Sequence, residues 1–282
     1  MPSAEKGQRS SRSPALARDF LKEISTAITS RPSAGVIYGP AGAGKSSTTA
    51  HALSPVVQPF AAENTWGLLK QSGAIPKDLA VLPPAETWDD LLGALDQLIE
   101  GKHEYKTYVL DTLACAERLC HEHVCNRDYA GDWSDRGFMG FHRGFDGALG
   151  DWRTLIERLD ALRDARGMGI ILVGHATVKS MRDPRLAPFD RWTVDLHPKT
   201  WAITSRWCDY VFFETFLFDT TEDGNRTRGH GGDERVIYSN LDASYEAKNR
   251  FGIKEPISAG DSAKEAWSNI VRAISASKNG GE

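Results

Sequence analysis

Short apolar runs alternate with longer amphipathic stretches along the first 175 residues of the chain. The runs typical of buried strands cover residues 34–39, 54–64, 106–112 and 168–176, and the second is the weakest because a proline interrupts it. Apolar residues recur at helical spacing over residues 15–28, 45–53, 87–101, 113–125 and 151–167. Strands that alternate with helices predict a mostly parallel central sheet with helices on both faces.

The pattern changes after residue 176, where a long loop is predicted over residues 177–200. Two apolar runs at 207–218 and 234–240 predict antiparallel strands, and a helix is predicted at 261–277. The predicted fold class is therefore α/β, with antiparallel strands at the C-terminal side of the parallel sheet. We predict one domain over residues 15–276. Residues 1–14 and 277–282 are predicted to be disordered tails.

Charge and composition narrow the possible partners. A net charge of −4 over 282 residues argues against a surface that binds polyanions everywhere, so any nucleic-acid contact requires a local basic patch. The N-terminal residues lack the apolar stretch of a secretory signal, and the chain has no apolar run long enough to span a membrane. We therefore expect a cytoplasmic location and no membrane partner.

Cysteines and histidines crowd one predicted helix, at Cys115, Cys120, His121, His123 and Cys125. Zinc needs ligands that converge on one point, but helical spacing divides these side chains between different faces and no C-x-x-C pair occurs. Buried thiols are the favoured interpretation, with zinc as the alternative.

Residues 39–46 read GPAGAGKS and match G-x-x-x-x-G-K-[ST] between a predicted strand and a predicted helix. Glycines let consecutive backbone N–H groups turn inward around phosphates, and a helix N-terminus adds the positive end of its dipole. The lysine of such a loop reaches the β- and γ-phosphates, and the Ser hydroxyl ligates Mg²⁺. The pattern predicts a site for ATP and Mg²⁺ formed by Gly39, Pro40, Ala41, Gly42, Ala43, Gly44, Lys45, Ser46 and Ser47.

Polar residues end the other predicted strands. Asp111 closes the run TYVLD and is the predicted Mg²⁺ ligand, through water, beside Ser46. Many ATPases place a water-activating Glu directly after this Asp, but here that residue is Thr112. Glu63 is therefore the predicted catalytic base, with an exposed loop carboxylate as the alternative. His175, which ends the run IILVGH, is predicted to sense the γ-phosphate, with a structural histidine as the alternative.

Together these features resemble the RecA-like ATPases, and among them the phage nucleotide-binding branch that acts in single-strand annealing recombination. The likeness covers residues 34–256 and is carried by YKTYVLDTLACAERL, LIERLDALRDARG, IILVGHATVK, RWCDYVFF and YEAKNRFG. It implies a RecA-like P-loop NTPase core, in which Glu63 is the catalytic base and His175 couples the γ-phosphate to a DNA-binding loop. A phage-encoded chain would act in the cytoplasm of its bacterial host.

The segment YEAKNRFG, residues 245–252, reads by itself as a solvated turn with two surface cations. The resemblance implies instead that Lys248 and Arg250 enter the ATP site of a neighbouring subunit, so they join Lys45, Glu63 and His175 as predicted catalytic residues. Arg250 replaces a Lys of the family pattern, and His175 stands where RecA has a Gln. Both replacements keep the required chemistry, a cation and a hydrogen-bonding side chain.

The predicted loop after His175 is locally basic, and its aromatics are Phe189, Trp192 and Trp201. The cations predicted to bind DNA are Lys179, Arg182, Arg185, Arg191 and Lys199. Cations for phosphates and aromatics for bases are typical of single-strand binding. Three aspartates among them weaken the pattern, and a solvated loop is the alternative. Arg136, His142 and Arg143 are secondary candidates, where packing of the neighbouring aromatics is an equal interpretation.

The resulting hypothesis is a DNA-stimulated, Mg²⁺-dependent ATPase that binds single-stranded DNA and promotes annealing and homologous recombination. The expected partners are single-stranded DNA, further copies of the chain in a ring or filament, and a single-strand-binding protein. Three alternatives share the phosphate loop: a small-molecule kinase, a nucleotide-gated binding protein with negligible hydrolysis, and a helicase-like motor.

Overall fold

The computed structural model describes residues 21–26, 31–63, 65–223 and 226–279. The chain divides into two compact units, Met1–Ser30 and Arg31–Glu282. In the first unit residues 21–26 form turns and irregular backbone, and the rest of the helix predicted at 15–28 lies outside the described residues. All the strands and helices described below belong to the second unit.

The secondary-structure elements follow one another along the second unit. The strands are β1 (Ala34–Gly39), β2 (Pro55–Pro59), β3 (Ala80–Val81), β4 (Thr107–Asp111), β5 (Gly169–Met181), β6 (Phe189–Val194), β7 (Tyr210–Asp223), β8 (Arg226–Tyr238), β9 (Lys248–Asn249) and β10 (Ile257–Ser258). The helices are α1 (Lys45–Thr49), α2 (Trp66–Ser72), α3 (Trp88–Glu100), α4 (Leu113–Tyr129), α5 (Arg143–Arg166), α6 (Pro198–Trp207) and α7 (Ala263–Asn279), and a 3₁₀ turn covers Gly140–His142.

The central sheet has the strand order β10-β8-β7-β1-β5-β4-β2-β3. The strands from β7 to β3 are parallel neighbours, whereas β8 and β10 continue the sheet in antiparallel fashion. β6 pairs antiparallel with β5, and β9 pairs antiparallel with β7. The predicted fold class, a mostly parallel sheet with antiparallel strands at the C-terminal side, is confirmed.

Two hydrophobic cores cover the two faces of the sheet. Tyr38 and Ile37 are neighbours on β1 and belong to different cores, because side chains alternate between the faces along a strand. The first core includes Trp152 of α5, and the second includes Ile270 of α7. Parallel strands are buried on both faces in this way, which explains their continuous apolar runs.

The prediction of one long loop over residues 177–200 is wrong. β5 continues to Met181 and forms an antiparallel hairpin with β6, in which Val178 pairs with Trp192 and Lys179 with Arg191. We call residues 176–194 the β5–β6 hairpin. β-Branched and aromatic residues favour this pairing, but the cations between them break the hydrophobic alternation that would have indicated strands.

Several helix boundaries also differ from the prediction. α1 ends at Thr49, four residues before the predicted end at residue 53, and α4 continues to Tyr129, beyond the predicted end at residue 125. α5 begins at Arg143, well before residue 151. α7 runs to Asn279, so part of the predicted tail at 277–282 is helical, and residues 280–282 lie outside the described residues. None of the described helices is long and apolar enough to cross a membrane.

Candidate functional site

The carboxyl ends of four parallel strands meet at one edge of the sheet, and the residues predicted to bind the nucleotide and Mg²⁺ lie there. The register aligns Gly39 of β1 with His175 of β5, and Asp111 of β4 with Val173 of β5. β2 ends opposite Asp111 at Pro59, and Glu63 lies in the loop that follows β2. Ligands of open α/β sheets bind at this edge. The topology therefore gathers these side chains from distant parts of the chain.

The loop between β1 and α1 has the backbone geometry of a phosphate cradle. Gly42 and Gly44 have φ of +80° and +106°, which L side chains rarely adopt. Gly39 is required for a different reason, because a Cβ there would lie 1.9 Å from the backbone oxygen of Glu214 on β7. Lys45 is the first residue of α1. We call residues 39–47 the phosphate loop.

Lys45 lies buried beside this loop. Its side chain is 6% exposed, and Nζ donates a hydrogen bond to the carbonyl of Pro40 at 2.8 Å. Burial lowers the pKa of Lys45, while the carboxylates of Glu214, Asp111 and Glu63 oppose this shift. A phosphate in the loop would bring further negative charge to the ammonium and favour its charged form.

Ser46 and Asp111 fit a Mg²⁺ site. The Ser46 hydroxyl donates to Oδ2 of Asp111 at 2.7 Å, while the buried Oδ1 has no hydrogen-bond partner among the described residues. Burial raises the pKa of Asp111 to about 6, against the opposing hydrogen bond from Ser46. A hydroxyl and a carboxylate are hard oxygen ligands of the kind Mg²⁺ prefers, and the cation would favour the ionised carboxylate.

Glu63 is held in place by three side chains. His175 Nε2 lies 2.9 Å from Oε1, and the Thr112 hydroxyl and Cys115 thiol donate to Oε2 at 3.2 Å and 3.5 Å. Burial raises the pKa of Glu63, but the hydrogen bond and charge of His175 and the bonds to Oε2 outweigh it, so the pKa is lowered overall. The carboxylate is therefore ionised at neutral pH and able to accept a proton.

His175 does not end its strand, in contrast to the prediction. It is the last residue of β5 that pairs in parallel with β1, and the next residue, Ala176, begins the β5–β6 hairpin. Its imidazole contacts Glu63 directly. The β5–β6 hairpin thus begins directly after a residue that contacts the candidate base.

One cavity of about 380 Å³ is lined by most of the residues predicted to form the nucleotide site. Its lining includes Ala41, Gly42, Gly44, Lys45, Ser46, Ser47, Glu63, Asp111 and His175. A larger cavity of about 780 Å³ lies between residues 82–86 and α3, away from these groups. The chemistry of the lining, and not the size, therefore identifies the site.

Lys248 and Arg250 lie at the opposite end of the parallel strands, where the strands begin. β9 pairs with Tyr210 and Val211, at the start of β7, beside Gly35 on β1. Within this chain the Lys248 ammonium donates to the Ser205 carbonyl, and Arg250 donates to Asp209 Oδ1 at 2.9 Å. These cations do not reach the phosphate loop of their own chain, and their predicted role in a neighbouring subunit stays a prediction.

The five predicted DNA-binding cations lie on or next to the β5–β6 hairpin, where most have partners. Arg185 binds Asp183 through two hydrogen bonds of 3.0 Å, and Lys199 pairs with Asp146. Lys179 donates to the Leu196 carbonyl at 3.1 Å, and Arg191 donates to the Ala243 carbonyl at 3.1 Å. Arg182 is exposed and makes no side-chain hydrogen bond with the described residues.

The aromatics of the same region divide into exposed and buried ones. Trp192 is 37% exposed beside Val178, which is 48% exposed. Trp201 is buried and its indole N–H donates to Glu246 at 3.0 Å, so it cannot stack on a base as predicted. Among the secondary candidates, Arg143 donates to the Gly140 carbonyl at 3.2 Å. His142 lies near Phe145, as the packing alternative predicts.

The cysteines of α4 are free and buried, which confirms the favoured interpretation. Within the described part of the chain, no cluster of three or more His, Cys, Asp or Glu side chains could hold a metal. Cys115 has a role that the sequence did not indicate, as a partner of Glu63.

Sequence reasoning also missed the polar residues beneath the phosphate loop. Thr48, Glu214 and Arg235 meet there, although Glu214 and Arg235 lie far along the chain on β7 and β8. A signal did exist for Glu214, since it interrupts the apolar run YVFFETF. A buried carboxylate inside such a strand indicates a specific partner.

A family model described as AAA_24, AAA domain, matches residues 31–251, which include the complete site. The chain belongs to the AAA_24 family. Membership in AAA_24 and the phosphate-loop geometry together identify the chain as an ATPase-type nucleotide-binding protein.

No curated protein matches the chain. Among solved structures, a crystal structure of the RadB recombinase matches with 10% sequence identity and a TM-score of 0.40, and the match covers 73% of this chain and 80% of that chain. A likeness at that level does not indicate the function of this AAA_24 protein.

Proposed function

We propose that the protein is a RecA-like ATPase that hydrolyses Mg·ATP, binds single-stranded DNA through the β5–β6 hairpin, and promotes annealing and homologous recombination of the phage type. The observation that supports this most strongly is the contact between His175 and Glu63 at the root of that hairpin. β5 continues from His175 into the hairpin, so DNA bound to the hairpin could affect the position of Glu63 through this strand.

Hydrolysis at this site transfers the γ-phosphoryl group of ATP to water. The water oxygen attacks the γ-phosphorus, the bond to the bridging oxygen breaks, and ADP leaves. Glu63 accepts the proton from the water, while His175 and Thr112 keep its carboxylate in position. Lys45 exchanges its contact with the Pro40 carbonyl for the β- and γ-phosphates. Mg²⁺, held by Ser46 and through water by Asp111, would neutralise charge on the phosphate oxygens.

The β5–β6 hairpin supplies the chemistry for a single strand. Arg182 and Arg185 are exposed between its two strands, where they can contact phosphates. Val178 and Trp192 form an exposed cross-strand pair that offers a surface for bases. The acidic chain therefore carries a local surface with the two groups that single-strand binding requires.

We expect single-stranded DNA to raise the ATPase rate of the wild-type protein. In the double variant Arg182→Ala/Arg185→Ala the basal rate should persist, while DNA affinity and stimulation fall. The slope of log affinity against log salt should become shallower by about 0.7 for each phosphate that the variant no longer neutralises. The measurements are phosphate release with and without DNA, and DNA binding at several salt concentrations.

Arg153→Ala is the matched control, because Arg153 is an exposed arginine on α5 outside the hairpin. It should leave DNA stimulation unchanged. A wild-type rate that does not respond to DNA, together with a monomeric mass in ATP, would contradict the proposal and favour a small-molecule kinase. Strand displacement on a forked duplex would favour a helicase-like motor.

The proposal includes self-assembly into a ring or filament, with Lys248 and Arg250 acting on the ATP of a neighbouring subunit. Their location supports this, since they lie at the sheet edge opposite their own phosphate loop. Arg250 is also 58% exposed. A partner such as a single-strand-binding protein would act on the same DNA.

Mixing two inactive variants tests the action between subunits. Glu63→Gln lacks the base in its own site, and Lys248→Ala lacks the cation it offers to a neighbour. Mixed assemblies should regain ATPase activity, because some interfaces combine an intact Glu63 with an intact Lys248 from different chains. Lys254→Ala, an exposed lysine nearby, should be active alone. A mixture no more active than its two components would argue against the arrangement.

A further inference from the structure

A buried ion pair lies directly beneath the phosphate loop. Glu214 of β7 is fully buried, and its Oε1 lies 3.6 Å from Nη1 of Arg235 on β8, whose side chain is 16% exposed. The Thr48 hydroxyl of α1 donates to the same Oε1 at 2.9 Å. The pair therefore joins the antiparallel part of the sheet to the loop and to the helix that follows it.

Arg235 also touches the loop backbone. Its Nη1 donates to the carbonyl of Ala43 at 3.4 Å. A Cβ added to Gly44 would lie 2.3 Å from the same nitrogen. The guanidinium thus occupies the space that a side chain at position 44 would need, on the side of the loop that faces β8.

This contact determines where the next N–H points. The Ala43 carbonyl and the Gly44 N–H belong to one planar trans peptide, so they point in opposite directions. When Arg235 holds the carbonyl on the β8 side, the Gly44 N–H is directed to the other side of the loop. Gly44, Lys45 and Ser46 line the cavity for the phosphates, which Arg235 does not line, whereas Gly44 and Arg235 together line a separate cavity. The N–H that points away from Arg235 is therefore directed toward the phosphate cavity.

Glu214 determines the position of Arg235. The carboxylate is buried, and its Oε2 has no hydrogen-bond partner among the described residues. Burial raises the pKa of Glu214 to about 7, while the Thr48 hydrogen bond and the charge of Arg235 oppose the rise. Such a pair contributes little to stability compared with apolar residues of similar volume, so its presence calls for another explanation.

We infer that Arg235, oriented by Glu214, is a positioning residue for nucleotide binding that fixes the Ala43–Gly44 peptide with the Gly44 N–H toward the phosphates. The inference rests on nucleotide binding at the loop, which belongs to the proposed function, and it is independent of DNA. It adds two residues from the C-terminal strands to a site otherwise formed at the ends of the parallel strands.

The test is the equilibrium affinity of Arg235→Gln for ADP and for adenosine, with Mg²⁺ and without DNA. Loss of one well-aligned N–H to a charged phosphate should weaken ADP binding about tenfold to a hundredfold. Adenosine binding should change little, so the advantage of ADP over adenosine shrinks. Arg235→Lys should recover part of it, because an ammonium can also donate to the Ala43 carbonyl. Glu214→Gln keeps the shape but not the charge, and should give a smaller loss in the same direction.

Arg158→Gln is the control, since it removes an Arg–Asp pair between α5 and α3, with a 2.8 Å contact from Arg158 to Asp96, away from the loop. It should leave the ratio of the two affinities unchanged. An Arg235→Gln protein that keeps the wild-type ratio would overturn the inference, as would one that weakens ADP and adenosine equally. A wild-type protein that binds no nucleotide would overturn the proposed function as well, whereas absence of DNA stimulation alone would leave the inference standing.

Discussion

Glu63→Gln is expected to lower the rate of ATP hydrolysis about a hundredfold to ten-thousandfold, the usual contribution of a general base. The amide keeps the size of the side chain and can still accept hydrogen bonds from Thr112 and Cys115, but it cannot take a proton from water. The affinity for ATP should change little, because in the proposed mechanism Glu63 contacts the attacking water and not the phosphates. Phosphate release and equilibrium binding of ATP measure the two quantities separately.

Glu86→Gln is the matched control for this substitution. Glu86 is an exposed carboxylate just before α3 and has no contact with the cavity of the phosphate loop. Its variant should hydrolyse ATP at the wild-type rate. If Glu63→Gln also kept that rate, Glu63 would be a structural carboxylate, and the nucleotide-gated binding protein or another base would have to be considered.

The sequence was sufficient to predict which residues lie together at the carboxyl ends of the strands, because strand topology alone determines this. Asp111, Glu63 and His175 are far apart in the chain, yet each follows or ends an apolar run, and parallel strands bring such residues to one edge. The phosphate loop required only local information, its glycines and the lysine that follows them. These features could be predicted because short-range patterns are sufficient to place them.

The remaining features depend on contacts that no local pattern records. The contact between Arg235 and Ala43 depends on β8 lying beside β7, and β7 beside β1. The β5–β6 hairpin was missed because its cations obscured the alternation of a strand pair. The partner of His175 was also missed: its imidazole contacts the Glu63 carboxylate, which comes from a distant part of the chain.

Lys45→Ala is expected to weaken ATP binding by about a hundredfold or more, since in the proposed mechanism this cation makes charge-assisted hydrogen bonds to two phosphates. Hydrolysis should fall below detection at ordinary ATP concentrations. Competition binding with ATP and ADP gives the affinities, and thermal unfolding shows whether the variant is folded. Lys70→Ala is the control, because its Nζ also donates to a carbonyl, that of Leu79 at 2.7 Å, but outside the site.

Lys45→Arg separates the charge of Lys45 from its shape. Lys45 is buried and interacts electrostatically with Asp111, Glu63 and Glu214, so the alanine variant removes a positive charge near three carboxylates and could lose affinity through misfolding. Arginine retains the charge, but its planar guanidinium is larger than an ammonium and presents its donors in a rigid fork. We expect a folded protein whose ATP affinity is nevertheless at least about tenfold below wild type. Wild-type affinity in Lys45→Arg would show that charge alone is sufficient, and that the compact ammonium on the Pro40 carbonyl is not the group that selects the phosphates.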